Sequence, residues 1–457
     1  MDKKITIFLL FVVVGIFLFF HFYNIDKRIG FGWDQESYSY QVANIIKNHK
    51  LTLIGPRSAD IKGFFLGPYF IYLLIPFYLL THLHPFALTI FVVVYNLLFL
   101  LASLILLTKI FDFYTAILFL LFWSINPQLV SYDIVPWNPI FIALGFIICW
   151  YLLKKILKNN KIKDWALLGL LSGIMINFHF SFIFVLVFNG TFILIMETKN
   201  KFKDWKKIIT ALATFGLTFL PLVLFDLRHD FLNAKLFIDF FFGAHNQVAH
   251  DIYTWMPVFN NMIKPVIVLS ENSATITLYL LILVMIAYSI IKKKDSYQKT
   301  FFYSALVTWL IFPVFFTIYS KRPSEYYFLF AMPLIYLSII CFFSDIKLKY
   351  LSLFLAFLLL ILNFGELKSI TGSYPFGLYY KDAAVKRLAT IVKNKTKLNV
   401  TIKVPLGENN GYNYLIEYYR IKQSGNFNDP LIEIMVPPQP GNIKIGTIGL
   451  KIPKELK

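Results

Sequence analysis

A long succession of apolar runs is the sequence feature that most constrains how this chain of 457 residues can fold. Several runs approach the ~20 residues that an α-helix needs to cross a bilayer. Only 15% of the residues are charged, whereas a soluble globular protein has roughly a quarter. The runs therefore predict an all-α polytopic membrane protein and exclude a water-soluble globule, a disordered chain and a coiled coil. They lie near residues 5–20, 64–82, 86–108, 113–130, 138–153, 166–177, 180–196, 208–225, 266–291, 300–319, 326–343 and 350–364.

The first run, 5–20, follows Lys3 and Lys4, and a secretory signal peptide begins in the same way. No small-residue cleavage site follows this run, because the chain continues as His21-Phe22-Tyr23-Asn24. The run is also long enough to be a membrane helix. We therefore predict an uncleaved first helix with a cytoplasmic N-terminus.

Basic residues are placed so that they predict the topology of the membrane helices. The net charge is +19, which in a soluble protein would suggest nucleic acid, but lysines collect on the cytoplasmic side of membrane proteins. Lysine-rich loops at 154–163, 199–207 and 292–299, and a smaller one at 347–349, all fall between apolar runs. We therefore place these loops in the cytoplasm and expect no nucleic-acid partner.

Placing all the lysine-rich loops on one side requires an odd number of crossings between residues 24–63 and the loop at 154–163. Four runs lie in this interval, so one of them does not fully cross. The best candidate is the run 64–82, which contains Pro68 and Pro76, because non-helical backbone at membrane depth is tolerated when protein buries it. The result is about eleven crossing helices, in a range of about 11–13. The protein is then a multi-pass plasma-membrane protein with an extracytoplasmic C-terminus.

The polar tail contains two β-rich runs, at 400–404 and 432–434, and a helical pattern at 412–421. These patterns predict a small α/β domain on the outer face of the membrane, of a size that folds alone. We therefore predict two domains, a transmembrane domain at 1–365 and an extracytoplasmic domain at 366–457. The other regions that face outside are 24–63, 131–138 and 226–265.

The first external loop, 24–63, contains two carboxylates, Asp34 and Glu36, among aromatic residues. A carboxylate beside a membrane-facing cavity can act as a general base, because burial and neighbouring charges set its pKa. The alternative is an ordinary solvated loop, which the spacing alone favours. Gly-Pro pairs at 55–56 and 67–68 predict turns that fold the loop back on the membrane beside Asp34.

Six short motifs follow one another along the chain: Asp34-Gln35, Gly55-Pro56-Arg57-Ser58, Gly63 to Tyr72, Val135 to Pro139, Asn177 to Ser181 and Phe225 to Phe231. Their order and placement resemble an integral-membrane class, the polyprenyl-phosphate-sugar-dependent glycosyltransferases of the GT-C superfamily. The similar branch contains the protein O-mannosyltransferases and the lipid A aminoarabinose transferase, and is of the glycosyltransferase family 39 type. The resemblance covers about residues 1–365 and implies a GT-C-like fold.

In that family an acid of the first external loop lies at the catalytic centre, and the resemblance assigns this position to Asp34. There it acts as the general base or organises a divalent metal ion, which is the cofactor that the resemblance suggests. The family often has Asp-Glu at this place, whereas this chain has Asp34-Gln35, with Glu36 one position later. Many relatives also have a lysine before the run 64–82, and Lys62 is the residue that lies near this place.

A lipid-phosphate sugar donor carries an anionic phosphate at the membrane surface, so a transferase needs cations there to neutralise the leaving group. We predict that Arg57, Lys62, Arg228 and Arg322 bind this phosphate. Only six of the 44 basic residues are arginines, and the planar guanidinium group can bind two phosphate oxygens. The alternative for each arginine is snorkelling towards the lipid headgroups.

Further polar residues near the outer ends of the runs are candidates for binding substrate, since polar groups in a membrane protein are functional by default. The alternative for Asp133 is an ordinary turn acid. His229, His245, His250 and Asp251 share one loop, but their spacing matches no compact metal site. The predicted substrate-binding residues are Glu36, Asp133, Asn138, His179, His229, Glu325 and Tyr326.

The sequence therefore predicts an inverting membrane glycosyltransferase that moves a sugar from a polyprenyl-phosphate donor to an acceptor on the outer face. The sugar stays open, and the acceptor is a protein, a lipid or a glycan. The apolar stretch 231–242 is either an interfacial helix that guides the lipid chain or a packed loop helix. The main alternative function is a transporter or flippase for lipid-linked glycans, although such folds usually show internal repeats. A structural assembly subunit is the third hypothesis.

Overall fold

The computed structural model describes residues 3–58, 63–199, 203, 205–243, 255–264, 272–319, 323–392, 397–426 and 428–453. Helices dominate these residues, and a small four-stranded sheet lies near the C-terminus, as the sequence predicts. Most buried apolar side chains of the helices and of the sheet form one hydrophobic cluster that extends along the chain from Val13 to Ile452, and Phe64, Leu66 and Phe240 form a second, smaller cluster.

Eighteen α-helices precede the C-terminal α/β unit in the described part of the chain. The long apolar runs form helices because a helix satisfies its own backbone hydrogen bonds where no water is present. Side chains cap several N-termini: Asp112 accepts a hydrogen bond from the backbone N–H of Thr115 at 2.8 Å, and Asp295 from that of Gln298 at 2.9 Å. The helices are α1 (Lys3–Phe22), α2 (Ile25–Arg28), α3 (Trp33–Asn48), α4 (Tyr69–Leu80), α5 (Ala87–Ile110), α6 (Phe113–Ser124), α7 (Pro127–Asp133), α8 (Phe141–Asn159), α9 (Ile162–Phe178), α10 (Ile183–Lys199), α11 (Trp205–Leu217), α12 (Leu220–Arg228), α13 (Leu232–Phe242), α14 (Trp255–Ile263), α15 (Asn272–Lys292), α16 (Ser296–Ile318), α17 (Ala331–Asp345) and α18 (Lys349–Ile370).

Among the described residues, seven helices are long and apolar enough to cross a membrane, or up to nine spans result if each of two bent pairs counts as one. The bent pairs are α6–α7, with an angle of 86°, and α11–α12, with an angle of 48°. Asn126 and Pro127 produce the first bend, because they form the N-cap and the first residue of α7. The chain is therefore a multi-pass membrane protein. Two shorter helices, α4 and α17, of 12 and 15 residues, are also apolar, and the number of about eleven crossings stays a prediction.

Helix α4 covers only part of the predicted run 64–82 and has 12 residues. At 1.5 Å per residue it is about 18 Å long, which is short of the ~30 Å hydrocarbon core. This length agrees with a run that does not fully cross. The two Gly-Pro pairs lie against each other, since the N–H of Gly55 donates to the carbonyl of Leu66 at 2.8 Å and a Cβ on Gly55 would overlap the carbonyl of Gly67.

Three of the four lysine-rich loops, at 154–163, 292–299 and 347–349, lie at one end of the helix bundle. The Nζ of Lys154 donates to the carbonyl oxygen of Lys109 at 2.7 Å and lies 5.5 Å from the ring centre of Tyr297. Lys293 forms an ion pair with Asp345, the last residue of α17, at 2.6 Å. These contacts bring the three loops to one side, and the assignment of that side to the cytoplasm stays a prediction.

An α/β unit follows α18, which ends at Ile370, a few residues after the predicted domain boundary. Strands β1 and β2 are parallel and are connected through α20, whereas β4 pairs antiparallel with both β2 and β3. The strand order is β1-β2-β4-β3. The predicted β-rich runs lie in β1 and β2, and the predicted helix contains α20. The elements of the α/β unit are α19 (Leu378–Val392), β1 (Asn399–Lys403), α20 (Tyr412–Tyr418), β2 (Leu431–Met435), β3 (Ile443–Ile445) and β4 (Ile448–Lys451).

Candidate active site

Asp34 lies in the first turn of α3, at the end of the bundle opposite the lysine-rich loops. The side chain of Gln35 fixes this turn, because its Oε1 accepts a hydrogen bond from the backbone N–H of Gly32 at 3.1 Å. Its Nε2 donates to the carbonyl oxygen of Pro136 at 3.4 Å. Pro136 shortly precedes α8, and Lys154 is in the last part of the same helix. The length of α8 therefore separates Asp34 from the lysine-rich end.

The carboxyl group of Asp34 is exposed, yet the surrounding protein atoms desolvate it enough to raise its pKa. Burial raises the pKa values of Tyr38 and Tyr326, and the charge of Asp34 raises both further. Asp34 thus lies close to both phenols. An accessible carboxylate with a raised pKa is typical of the wall of an open cavity, and the raised pKa makes it a stronger base.

Tyr38 connects α3 to the segment before α8. It follows Asp34 by one helical turn, so both side chains lie on one face of α3. The Tyr38 hydroxyl donates to Oδ1 of Asn138 at 3.0 Å, and the amide of Asn138 donates to the carbonyl oxygen of Phe178. All of these contacts are buried. They hold the predicted substrate-binding residue Asn138 beside the predicted catalytic residue.

Tyr326 belongs to the short 3₁₀ helix Glu325–Phe328 and completes an aromatic wall. Its ring centre lies 4.7 Å from that of Trp137 and 5.5 Å from that of His179. Glu325 precedes it in the chain and is half-buried. The structure therefore brings four of the predicted site residues into one region: Asp34, Asn138, His179 and Tyr326.

His179 is buried and locked in one tautomer. The backbone N–H of Ser181 donates to Nδ1 of His179 at 3.3 Å, and the Ser181 hydroxyl lies 2.8 Å from the same atom. Nδ1 is therefore an acceptor, which puts the proton of the neutral ring on Nε2. Burial lowers the pKa of His179 to about 3, so the ring is neutral at pH 7. It can donate a hydrogen bond but supplies no positive charge for a phosphate.

A cavity begins at His179 and continues between aromatic side chains. Polar groups line only part of it, namely Ser58, His179 and Ser181, with the hydroxyl groups of two tyrosines. The remaining lining residues are Phe180, Ile183, Phe184, Phe240, Phe315 and Phe316, with the tyrosines Tyr319 and Tyr327.

Of the predicted phosphate-binding residues, Arg57 lies on an aromatic pair, and Arg228 follows one member of that pair in α12. The guanidinium carbon of Arg57 lies 4.5 Å from the ring centre of Phe65, and the ring of Phe65 lies 5.7 Å from that of Phe225. Phe225 lies three residues before Arg228 in α12, so both residues are on the same side of the helix. The side chain of Asn233 fixes the loop by accepting from the N–H of Phe65 at 2.6 Å and donating to its carbonyl at 3.1 Å. Both arginines are exposed.

Two predicted substrate-binding residues have other partners. Glu36 is buried, and its Oε1 accepts a hydrogen bond from the backbone N–H of Tyr414 in the α/β unit at 2.9 Å. Asp133 was predicted in an exposed turn, but it is the buried last residue of α7. Its Oδ2 accepts a hydrogen bond from Nε1 of Trp123 at 2.6 Å and lies 3.2 Å from Nε2 of His21. These contacts favour structural roles for both carboxylates.

Of the remaining predicted residues, the structure describes His229, which does not join the site. His229 stacks on Phe225 at 4.2 Å, and its Nδ1 lies 2.8 Å from the carbonyl oxygen of Phe225. The described residues contain no group of three or more His, Cys, Asp or Glu side chains that could hold a metal ion, so the divalent metal stays a prediction. Lys62, Arg322, His245, His250 and Asp251 lie outside the described residues.

The sequence interpretation missed three aromatic residues of the site: Tyr38, Trp137 and Tyr327. Tyr38 could have been found, because its spacing of four from Asp34 puts it on the same helix face. Trp137 and Tyr327 adjoin predicted residues, but their convergence on His179 and Tyr326 depends on tertiary packing. Tyr327 lies 5.3 Å from His179 and also lines the cavity.

Solved structures of two membrane enzymes are similar to this chain over nearly its whole length. ArnT from Cupriavidus metallidurans bound to undecaprenyl phosphate has a TM-score of 0.57 at 11% identity and covers 98% of both chains. Its apo form has a TM-score of 0.58 at 10% identity, over 96% of this chain and 97% of that chain. The Archaeoglobus fulgidus oligosaccharyltransferase in complex with Zn and sulfate has a TM-score of 0.51 at 12% identity, over 91% of this chain and 62% of that chain.

The chain has the GT-C fold. ArnT, a lipid A aminoarabinose transferase, and the oligosaccharyltransferase are both GT-C proteins, and at 10–12% identity the similarity establishes the architecture. The resemblance predicted from the six motifs is thereby confirmed for the GT-C fold. No protein-family model matches the sequence, and no curated protein matches it. The fold is thus detected through structure although overall sequence similarity is low.

Proposed function

We propose that the chain is an inverting membrane glycosyltransferase that moves a sugar from a polyprenyl-phosphate donor to an acceptor on the outer face. The observation that carries this proposal is the position of Asp34, an accessible carboxylate with a raised pKa beside the aromatic wall. A cavity continues from that wall between phenylalanine side chains, and such a cavity suits part of an isoprenoid chain. The similar ArnT structure contains undecaprenyl phosphate, a lipid of this kind.

In the proposed reaction, the acceptor hydroxyl oxygen attacks the anomeric carbon of the sugar while the bond from that carbon to the phosphate oxygen breaks. The bonding electron pair leaves with the phosphate, which becomes free polyprenyl phosphate. The hydroxyl proton passes to the carboxylate of Asp34, which acts as general base. Attack from the side opposite the leaving group inverts the configuration at the anomeric carbon.

The leaving phosphate gains negative charge, so positive charge beside it stabilises the transition state. Arg57 is the best-supported candidate, because its guanidinium lies on the loop that also supplies Ser58 to the cavity wall. Arg228 lies three residues after Phe225, whose ring contacts Phe65. Neutral His179 can donate a hydrogen bond from Nε2 to a sugar or phosphate oxygen.

A reconstitution experiment distinguishes the proposed enzyme from its alternatives. Purified protein in proteoliposomes receives a panel of radiolabelled undecaprenyl-phosphate sugars, together with a membrane extract that supplies acceptors. We expect labelled sugar to leave the lipid fraction and undecaprenyl phosphate to accumulate. Movement of intact labelled lipid across the bilayer without cleavage would indicate a flippase. If no donor is either cleaved or moved, both functions are contradicted.

Replacing Arg57 with alanine is expected to raise the KM for the lipid donor at least about tenfold, because a hydrogen bond to a charged group contributes about 1.5–3 kcal/mol and about 1.4 kcal/mol is a factor of ten. Arg57→Lys should recover only part of the loss, since an ammonium group cannot bind two phosphate oxygens in the same plane. The measurement is the donor dependence of initial rates. Arg387→Ala, at an exposed position of α19, is the matched control, and equal KM values for both alanine variants would exclude Arg57 from donor binding.

A further inference from the structure

The α/β unit contacts the segment that carries Asp34 on both sides of that residue. Before it, the Nζ of Lys381 donates to the carbonyl oxygen of Phe31 at 3.0 Å. After it, the backbone N–H of Tyr414 donates to Oε1 of Glu36 at 2.9 Å. Asp34 lies between these two contacts, within the first turn of α3. Any displacement of the α/β unit therefore moves the backbone on both sides of Asp34.

Further hydrogen bonds extend this contact along the same segment. Alternate carbonyl groups before α3 accept bonds from the α/β unit or from the chain leading into it, and one tyrosine within α3 donates to it. The partners are Tyr374 N–H to the Lys27 carbonyl at 2.8 Å, Leu378 N–H to the Ile29 carbonyl at 2.9 Å, and the Tyr40 hydroxyl to Glu417 Oε1 at 2.8 Å.

Lys381 is buried, and its amino group is hydrogen-bonded on both sides of the contact. Its Nζ also donates to the carbonyl oxygen of Asn410 at 2.7 Å and lies 5.2 Å from the ring centre of Tyr412. Burial lowers the pKa of Lys381 to about 8, and both its charged and its neutral form have enough N–H groups to serve the two carbonyls. Burying a lysine is unfavourable unless its hydrogen bonds are satisfied, so these contacts fix the position of Phe31.

Gly411 allows the α/β unit to pack closely against the segment that precedes α3. It has a φ of +92°, and a Cβ at this position would overlap the carbonyl oxygen of Phe31. Gly407, four residues earlier, has a nearly identical φ of +90°, but a Cβ there meets no atom within 4 Å. The two glycines therefore share the same backbone strain when replaced and differ in whether the new side chain displaces Phe31.

We propose that the α/β unit holds the first turn of α3 in the orientation that transfer requires, with Lys381, Gly411 and Glu36 as positioning residues for Asp34. This inference rests on the proposed function, because it assigns the catalytic role to Asp34. The positioning residues act through the backbone of α3 and not on the substrate. A misplacement of a catalytic group by about 1 Å is enough to reduce turnover by roughly a hundredfold.

The glycine pair provides the first test. Gly411→Ala is expected to reduce kcat by about a hundredfold, with KM for the lipid donor unchanged, whereas Gly407→Ala stays close to the original enzyme. Hydrogen–deuterium exchange of peptides covering residues 33–41 should become faster in Gly411→Ala only. Equal turnover and equal exchange in the two variants would overturn the proposal. Hydrogen–deuterium exchange needs no substrate. It therefore tests the positioning role even if an Asp34→Asn variant stays fully active and so contradicts the proposed catalytic role of Asp34.

Glu36 provides a second test that does not depend on the folding of a glycine variant. Glu36→Gln keeps an oxygen that can accept the Tyr414 N–H, so it should recover most of the kcat and exchange protection that Glu36→Leu loses. A carboxylate that binds substrate or a metal ion through its charge would lose as much activity in the glutamine variant as in the leucine variant. That result, with exchange unchanged in both, would overturn the positioning role of Glu36.

Discussion

Replacing Asp34 with asparagine should abolish sugar transfer while the protein still folds and binds its lipid. The amide has nearly the same shape as the carboxylate but cannot accept the proton of the acceptor hydroxyl. General-base catalysis contributes about 10²–10⁴-fold to a rate, so we expect at least a hundredfold loss of kcat. The measurement is the initial rate of undecaprenyl phosphate release in proteoliposomes. Asp34 is exposed at a helix N-terminus, so its replacement should not lower the melting temperature.

The acid side of the pH–rate profile gives an independent check on the same residue. Only the ionised carboxylate can act as the base, so the rate falls as the pH drops through the pKa of Asp34. Desolvation raises this pKa above the ordinary value for aspartate, so the fall should begin at a higher pH than for a fully solvated aspartate. A fully active Asp34→Asn variant, or one with an unchanged acid limb, would exclude Asp34 as the base.

Replacing Asp133 with leucine should destabilise the membrane bundle strongly. Asp133 Oδ2 accepts from Trp123 Nε1 and lies next to His21 Nε2, and both members of the His21–Asp133 pair are buried. His21 donates from Nδ1 to the carbonyl of Phe17 at 2.9 Å, so the contact with Asp133 needs a further proton on the ring or on the carboxyl group. Removing one partner of such a pair costs about 3–5 kcal/mol. The measurement is thermal unfolding in detergent.

Asp133→Asn is the matched variant, because its amide oxygen can still accept the hydrogen bond from Trp123. We expect most of the stability and the transfer activity to be retained in this variant. The sequence interpretation gave Asp133 a substrate-binding role instead. That role would be supported by an asparagine variant that unfolds at the original temperature but no longer transfers sugar.

Patterns within short stretches of the sequence predicted the architecture well. The apolar runs predicted the helices, and the β-rich runs 400–404 and 432–434 predicted strands, which the structure shows to be parallel neighbours. Asp34 was selected because a motif resemblance and its position in the first external loop agreed. Each of these inferences depends on neighbours along the chain, and local periodicity determines which face of an element is apolar.

The roles that the sequence did not indicate depend on contacts between residues that are far apart in the chain. Glu36 contacts a backbone amide 378 residues away, and Asp133 contacts His21 at a separation of 112 residues. A buried carboxylate and an exposed one look the same in a sequence when the group that satisfies them is distant. The aromatic wall was missed for the same reason, because Trp137 and Tyr326 meet only after the helices have packed.

The contact between Lys381 and Phe31 has a consequence for the order of events during biosynthesis. The two residues are 350 positions apart, and ribosomes add roughly 5–20 residues per second. The first helices therefore enter the membrane about 20–70 s before the segment that stabilises α3 has been made. Throughout that interval the chain carries Asp34 on a helix without its final support. The proposed positioning role therefore predicts that chains lacking the C-terminal part are inactive in sugar transfer.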